Sequence, residues 1–210
     1  MKTYKELRDL LTETKQAYNK PDSAAFIFGL YNEEEYENRF SAGNMVLLAP
    51  LIPYAVYLIT KPFQGRLRGN IEDIVAKFLK KSKNEICMKA NWRNATKKPV
   101  DIQTGTVPDL KHTKEQIEQF APERENGILF YAIASGGKTA ANVITPPQGI
   151  KVSHDTFPSI GFYAIELCKN YLICSIDGNS EEIERFCDFL ISEIRYYRRN
   201  VSNACPGFPC

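Results

Sequence analysis

The stretch from Ile128 to Thr139, ILFYAIASGGKT, carries the residue types best suited to chemistry in this chain. An apolar, strand-like run is followed by small and polar residues whose backbone and side chains could hold an anion. Backbone N–H groups at a glycine-rich turn, together with an ammonium group, can bind a phosphate. The sequence therefore predicts a candidate phosphate or nucleotide site formed by Ser135, Gly136, Gly137, Lys138 and Thr139.

This turn matches the phosphate-binding loop pattern G-x-x-x-x-G-K-[ST] only in part. Counted back from Gly137, the place of the first glycine is taken by Ala132. The residues 140–143 are expected to begin a short helix whose N-terminus would add to the positive field. Neither Asp101 nor Asp177 is a convincing magnesium ligand for triphosphate hydrolysis. The pattern favours the simpler alternative, a glycine-rich turn at a strand end with an exposed lysine.

A second candidate site lies around the single tryptophan of the chain. Trp92 is accompanied by Lys89 and Arg93, and Lys97 and Lys98 follow a few residues later. An aromatic face flanked by cations can stack a nucleic-acid base and neutralise its phosphate. The net charge of the chain is only +2, which gives little basic surface. The sequence therefore favours a solvated strand end, with Trp92 half-buried, over nucleic-acid binding.

Histidines, cysteines and clustered carboxylates give no recognisable catalytic or metal-binding motif. The two histidines, His112 and His154, are interpreted as surface residues, and the six cysteines as reduced thiols. The pair Cys205 and Cys210 would need two distant ligands to complete a zinc site. Adjacent carboxylates in Asn32–Asn38 do not converge, so this acidic run is predicted to be a solvated helix N-terminus. No metal is expected, and no cofactor can be named.

Composition is that of an ordinary soluble globular protein, with 43% hydrophobic and 25% charged residues in 210 residues. The N-terminal sequence MKTYKELRDLL has no apolar core typical of a secretory signal, so a cytoplasmic location is expected. The longest apolar run, Met45–Thr60, is shorter than the ~20 residues of a membrane span and contains Pro50 and Pro53. Two buried strands joined at the prolines are predicted there, and membrane insertion is not.

Helical spacing of apolar residues predicts four helices. A capping box at Thr3 begins the first, Ile71–Ser82 forms the second, and a capping box at Thr113 begins the third. The last covers Ser180–Arg199 and carries an apolar stripe along one face. Short apolar runs between these helices predict strands at Ala24–Tyr31, Met45–Ala49, Tyr54–Thr60, Glu85–Trp92, Ile128–Ala134, Ile160–Leu167 and Tyr171–Ile176.

The order of these elements predicts the fold class. Strands follow one another without intervening helices, which favours an α+β fold with a mixed, mostly antiparallel sheet and packed helices. Residues 168–170 are short enough to join the last two strands as a β-hairpin, which the C-terminal amphipathic helix follows. We predict one domain over residues 1–200 and an irregular tail over residues 201–210.

Two function classes follow from these observations. The broader one is a non-catalytic binding or assembly subunit of a larger complex. It would use the long loops Asn94–Leu110 and Thr145–Pro158 and the C-terminal tail to contact a protein partner or a second copy of the chain. The alternative is a phosphate- or nucleotide-binding protein that uses the Ser135–Thr139 turn. Whether the protein is an enzyme stays open, and nucleic acid is not a favoured partner.

Overall fold

A computed structural model describes residues 4–30, 37–61, 71–96, 108–120, 127–145 and 156–200. These residues form seven α-helices, a short 3-10 helix and a four-stranded antiparallel sheet, which confirms the predicted single α+β domain. In chain order the elements are α1 (Tyr4–Tyr18), β1 (Ser23–Leu30), β2 (Glu37–Gly43), the 3-10 helix (Met45–Leu48), α2 (Leu51–Thr60), α3 (Ile71–Lys81), α4 (Lys83–Thr96), α5 (Leu110–Ile117), β3 (Ile128–Ser135), β4 (Lys138–Ile144), α6 (Thr156–Ser175) and α7 (Ser180–Asn200).

The sheet has the strand order β2-β1-β3-β4. Strands β1 and β3 lie at its centre, with Phe26 opposite Ala132 and Phe28 opposite Phe130. Both strands are apolar at nearly every position because helices cover both faces of the sheet. Side chains alternate between the faces, so Phe26 and Phe28 point to one core and Ile27 to the other.

The helices form unequal layers on the two faces of the sheet. Helices α1 and α5 cover one face, where Tyr18 and Ile117 pack with Ile27 and Tyr131. The 3-10 helix, α2 and α6 cover the other face, and α3, α4 and α7 pack against α2 and α6 from outside. Among the described residues, no helix is long and apolar enough to cross a membrane.

Helix α6 is the main departure from the prediction. The hairpin expected from Ile160–Leu167 and Tyr171–Ile176 is wrong, because both segments belong to this one helix of 20 residues. Buried residues lie on most sides of the helix, since the sheet covers it from one side and the outer helices from others. A helix buried in this way has no polar stripe, so its sequence does not show the helical periodicity. Its many aromatic and β-branched residues are typical of a strand.

Three other predicted strands are also helical. Tyr54–Thr60 lies in α2, Met45–Ala49 is mostly the 3-10 helix, and Glu85–Trp92 lies in α4. Pro53 stands in the first turn of α2, where its missing N–H costs no helical hydrogen bond. Asn44 caps the 3-10 helix by accepting a hydrogen bond from the Val46 N–H at 3.3 Å. In α2 the burial of apolar side chains therefore overrides the strand-like composition of the run.

Two predicted helices and two predicted strands are confirmed, and one predicted helix start is wrong. The expected helices over Ile71–Ser82 and Ser180–Arg199 and the strands at Ala24–Tyr31 and Ile128–Ala134 are present within one residue or two. The third helix begins earlier than Thr113, at Leu110.

Two helix starts predicted from the sequence differ from those in the structure. Asp109 caps α5 by accepting from the His112 N–H at 3.1 Å, while the Thr113 hydroxyl donates to the Asp109 carbonyl. Of the acidic run Asn32–Asn38, Glu37 and Asn38 begin β2 rather than a helix. The rest of that run, the capping residue Thr3 and the tail 201–210 lie outside the described residues.

Two buried tyrosines of α6 fix the helix to the sheet side of the core. The Tyr163 hydroxyl donates to the Phe28 carbonyl of β1, and the Tyr171 hydroxyl donates to the Met45 carbonyl, each at 3.0 Å. The Tyr163 ring also packs on Phe28 with centroids 5.3 Å apart. Burial raises the pKa of the Tyr171 hydroxyl, which keeps it protonated and able to donate.

We predict that Tyr163→Phe and Tyr171→Phe each lower the free energy of unfolding by about 1 kcal/mol, since each removes a buried hydrogen bond to a backbone carbonyl. Urea denaturation followed by circular dichroism measures the change. Tyr196→Phe is the matched control, because Tyr196 is exposed and its change is expected to stay within roughly 0.5 kcal/mol. Unchanged urea midpoints for both α6 variants would contradict the attachment of α6 by these hydroxyls.

Candidate functional site

The glycine pair of the predicted phosphate site forms the turn of a β-hairpin. Gly136 and Gly137 join β3 to β4 with φ angles of +57° and +75°. Positive φ at both central positions is typical of a type I′ turn, which glycine adopts without strain. The expected helix over residues 140–143 is wrong, because these residues lie in β4. The turn therefore accounts for both glycines by itself.

The other residues of this predicted site have different surroundings. Ser135 is buried, and its hydroxyl donates to the Pro108 carbonyl at 2.9 Å. Lys138 and Thr139 are exposed, and a Cβ atom added to Gly137 would meet nothing within 4 Å. The five residues are thus neighbours in sequence with different surroundings, since Ser135 is buried and the other four are exposed, and no described atom lies close to Gly137. Anion binding at this turn stays a prediction.

The second predicted site lies on helix α4 rather than at a strand end. Lys89, Trp92 and Arg93 are three and four residues apart and share one side of the helix. Lys89 pairs with Glu85 at 2.7 Å and thereby lowers the pKa of that carboxyl, and Arg93 donates to the Ile173 carbonyl of α6 at 3.0 Å. Trp92 is 71% exposed rather than half-buried as expected. Nucleic-acid contact here stays a prediction.

The described cysteines are free thiols of the helical layer. Cys168, Cys174 and Cys187 are buried, and burial raises the pKa of the Cys187 thiol to about 11. Such a thiol is protonated at neutral pH and therefore a poor nucleophile. Among the described residues, no three His, Cys, Asp or Glu side chains are grouped to hold a metal ion. His112 is exposed on α5, whereas His154 lies outside the described residues.

An apolar groove between α3 and α6 is the feature that the sequence interpretation missed. It has a volume of about 350 Å³. Ile71, Ile74 and Phe78 form the α3 wall, while Phe162 and Ile165 belong to the α6 wall. Phe78 and Phe162 are 47% and 54% exposed, unusually high values for phenylalanine side chains one turn from a core.

The α3 wall arises because the apolar stripe of this helix is wider than its contact with the core. Val75 and Leu79 are fully buried, whereas Ile74 and Phe78 of the same stripe face the groove. From sequence alone these four residues form a single amphipathic face. The position of α6 decides which half of the stripe stays open. The sequence predicts two strands in place of α6. The groove therefore could not be recognised from the periodicity of α3.

Charged side chains lie at one end of the groove. Lys169 on α6 pairs with Glu166 at 2.9 Å and with Glu85 of α4 at 3.7 Å. The Lys169 and Glu166 side chains are mostly buried, so this ion pair is a fixed part of the wall. The groove thus combines an apolar length with a polar end, an arrangement common to sites that bind another molecule.

Gly161 is the one position of the α6 wall without a side chain. A Cβ atom built on it would meet no atom of the described residues within 4 Å, so this position opens into the groove. By contrast, a Cβ atom on Gly43, which has a φ of +74°, would overlap the Ser23 and Tyr18 carbonyl oxygens. Gly161 is therefore dispensable for the backbone and offers a way to fill the groove by substitution.

Comparison with known proteins adds no relative. No protein-family model, no curated protein and no solved structure gives a significant match to this chain. Function must therefore be inferred from the geometry of the described residues.

We predict that Gly161→Ala raises the free energy of unfolding by roughly 0.5–1 kcal/mol, because alanine is favoured over glycine inside a helix and the added methyl group meets no atom. The matched comparison is Gly43→Ala, which must lower stability because both its φ angle and its surroundings exclude a side chain. Thermal or urea unfolding distinguishes the two. A loss of stability in Gly161→Ala would show that this wall of the groove is not open.

Proposed function

We propose that this protein is a non-catalytic binding or assembly subunit that docks a partner protein on helices α3, α4 and α6. The observation that carries this proposal is the concentration of exposed apolar side chains on α3, α4 and α6. Five of the eight large hydrophobic side chains that are exposed among the described residues lie on these helices: Ile74, Phe78, Met88, Trp92 and Phe162.

Exposure of this kind favours a docking role. Single exposed hydrophobic residues are ordinary, but grouped ones on a soluble protein typically mark a surface that another molecule covers. Ile74, Phe78 and Phe162 line the same groove, and Met88 and Trp92 lie one turn apart on the next helix. Tryptophan, phenylalanine and methionine are also the side chains enriched at the centres of protein–protein interfaces.

The buried charges near this surface serve the structure, which supports a non-catalytic role. Glu72 is fully buried on α3 and accepts from Arg198 of α7 at 2.8 Å, with Arg195 at 3.7 Å. Arg93 donates to the Ile173 carbonyl of α6, and Asn94 donates to the carbonyl of Ile176, the residue that follows this helix. These groups hold helices together and are already committed to partners within the fold.

The alternative of a phosphate-binding protein has weaker support. Its glycines are accounted for by the turn between β3 and β4, and Lys138 is exposed on that turn. The long loops and the tail that were predicted as contact segments lie largely outside the described residues, so their part in binding stays a prediction. The docking proposal depends only on helices that the structure describes.

The test is the size of the complex that the chain forms in the cells that produce it. Tagged protein is isolated gently and measured by size exclusion with light scattering, where the proposal predicts a defined species larger than the 23.9 kDa monomer. Phe78→Glu and Trp92→Glu are expected to reduce that species, because a buried charge opposes docking. Val46→Glu is the matched control, since Val46 is 67% exposed, close to the 71% of Trp92, but lies on the 3-10 helix.

A strict monomer in every preparation contradicts this function. A complex that both glutamate variants leave intact, while Val46→Glu disrupts it, would contradict the assignment to α3 and α4. A rise in melting temperature with nucleotides that Lys138→Ala abolishes would favour the phosphate alternative instead.

A further inference from the structure

We infer that the groove between α3 and α6 receives an amphipathic α-helix of a partner protein, and that the flanks of this helix carry Asp or Glu. This inference rests on the proposed function and names the chemistry of the partner at one site.

The spacing of the groove residues suits a third helix. On α3 the groove residues Ile71, Ile74 and Phe78 are separated by three and then four residues. On α6 the groove residues Phe162, Ile165 and Lys169 repeat the same three-four spacing. This is the spacing at which helices interlock their side chains in bundles. At 1.5 Å per residue the α3 wall from Ile71 to Phe78 is ~11 Å long, which matches about two turns of a docked helix.

The structure of the walls also disfavours binding of a peptide in an extended conformation. Both are α-helices, whose backbone N–H and C=O groups bond within each helix. An extended peptide gains affinity by pairing its backbone with an open strand edge, which a groove between two helices does not provide. A helix satisfies its own backbone groups and needs only to bury an apolar face. The occupant is therefore helical when bound.

Two lysines define the charge of the rim. Lys77 and Lys81 follow Ile74 and Phe78 by three residues, so they border the open side of the α3 wall. Both are exposed, and no described residue forms an ion pair with either. The next lysine on the other side of α3, Lys80, already pairs with Asp188 of α7 at 3.6 Å. Carboxylates on the flank of a docked helix would complement Lys77 and Lys81.

The same lysines argue against a second copy of the chain as the occupant. In a two-fold symmetric contact both copies present the same face, so Lys77 and Lys81 would enter an interface to which the other copy brings the same two lysines. Like charges placed opposite one another oppose association. A different protein with an acidic amphipathic helix is the occupant that avoids this conflict.

The experiment selects ligands directly on the full chain. A displayed library of peptides of about 18 residues, with a helix-favouring framework and random side chains on every face, is panned against the immobilised protein. We expect enriched peptides to carry apolar residues at three-four spacing, bordered by Asp or Glu. Their affinity should fall about tenfold or more in Gly161→Trp, which fills the groove, and in Lys77→Glu/Lys81→Glu. Val46→Glu is the control that leaves the affinity nearly unchanged, because Val46 lies on the 3-10 helix and does not line the groove.

Several results would overturn the inference. They are enrichment of basic peptides, equal binding to the wild type and to Gly161→Trp, or no enrichment at all. Circular dichroism checks that Gly161→Trp is folded, and the double lysine variant gives a second test that does not touch the core. Self-association that Gly161→Trp abolishes would assign the groove to a second copy and also overturn it.

The outcomes separate this inference from the proposed function. If the cellular complex survives in Gly161→Trp, the groove is not the docking site, while the assembly role stands. If the chain is monomeric in its cells but selected acidic peptides bind in the groove, the assembly role is wrong and the chemistry of the groove stands.

Discussion

The burial of α6 is the constraint on which the rest of this structure depends. The helix has the sheet on one side, where Tyr163 and Tyr171 pack on Phe28 and Phe26 with ring centroids 5.3 and 5.8 Å apart. Helices α2, α3 and α4 cover other sides of it. Because α3 covers only part of the remaining side, Phe162 and Gly161 stay open and form a wall of the groove. The candidate site thus forms because the neighbouring helices leave part of α6 uncovered.

The position of α3 is fixed from its other side by a buried ion pair. The two oxygens of Glu72 lie 2.8 and 2.7 Å from the Arg198 guanidinium, and Asp73 is 3.2 Å from Arg195. A buried charge without its partner is costly, so this contact strongly favours one placement of α3 against α7. That placement keeps Val75 in the core and leaves Ile74 toward α6. Charge pairing on one side of α3 therefore sets the width of the groove on the other.

Whether an element could be predicted from the sequence depends on how many of its sides other elements cover. Helices α3 and α7 have one apolar and one polar face, so their periodicity identified them. Helix α6 is covered on most sides and lacks such a contrast, so its aromatic and β-branched residues predicted strands instead. The Gly136-Gly137 pair was recognised as a turn, but a turn between strands and a turn into a helix share the same glycines. The groove was not predictable, because it depends on which residues two helices leave uncovered.

The central claim is that a partner covers the groove between α3 and α6. Methyl NMR of isoleucine-labelled protein tests it most directly, because Ile71, Ile74 and Ile165 line the groove while Ile117 and Ile133 lie on the opposite face of the sheet. On addition of the partner isolated with the chain, the account predicts large shifts for the first three methyl groups and little change for the other two. Shifts confined to Ile117 and Ile133 would contradict it.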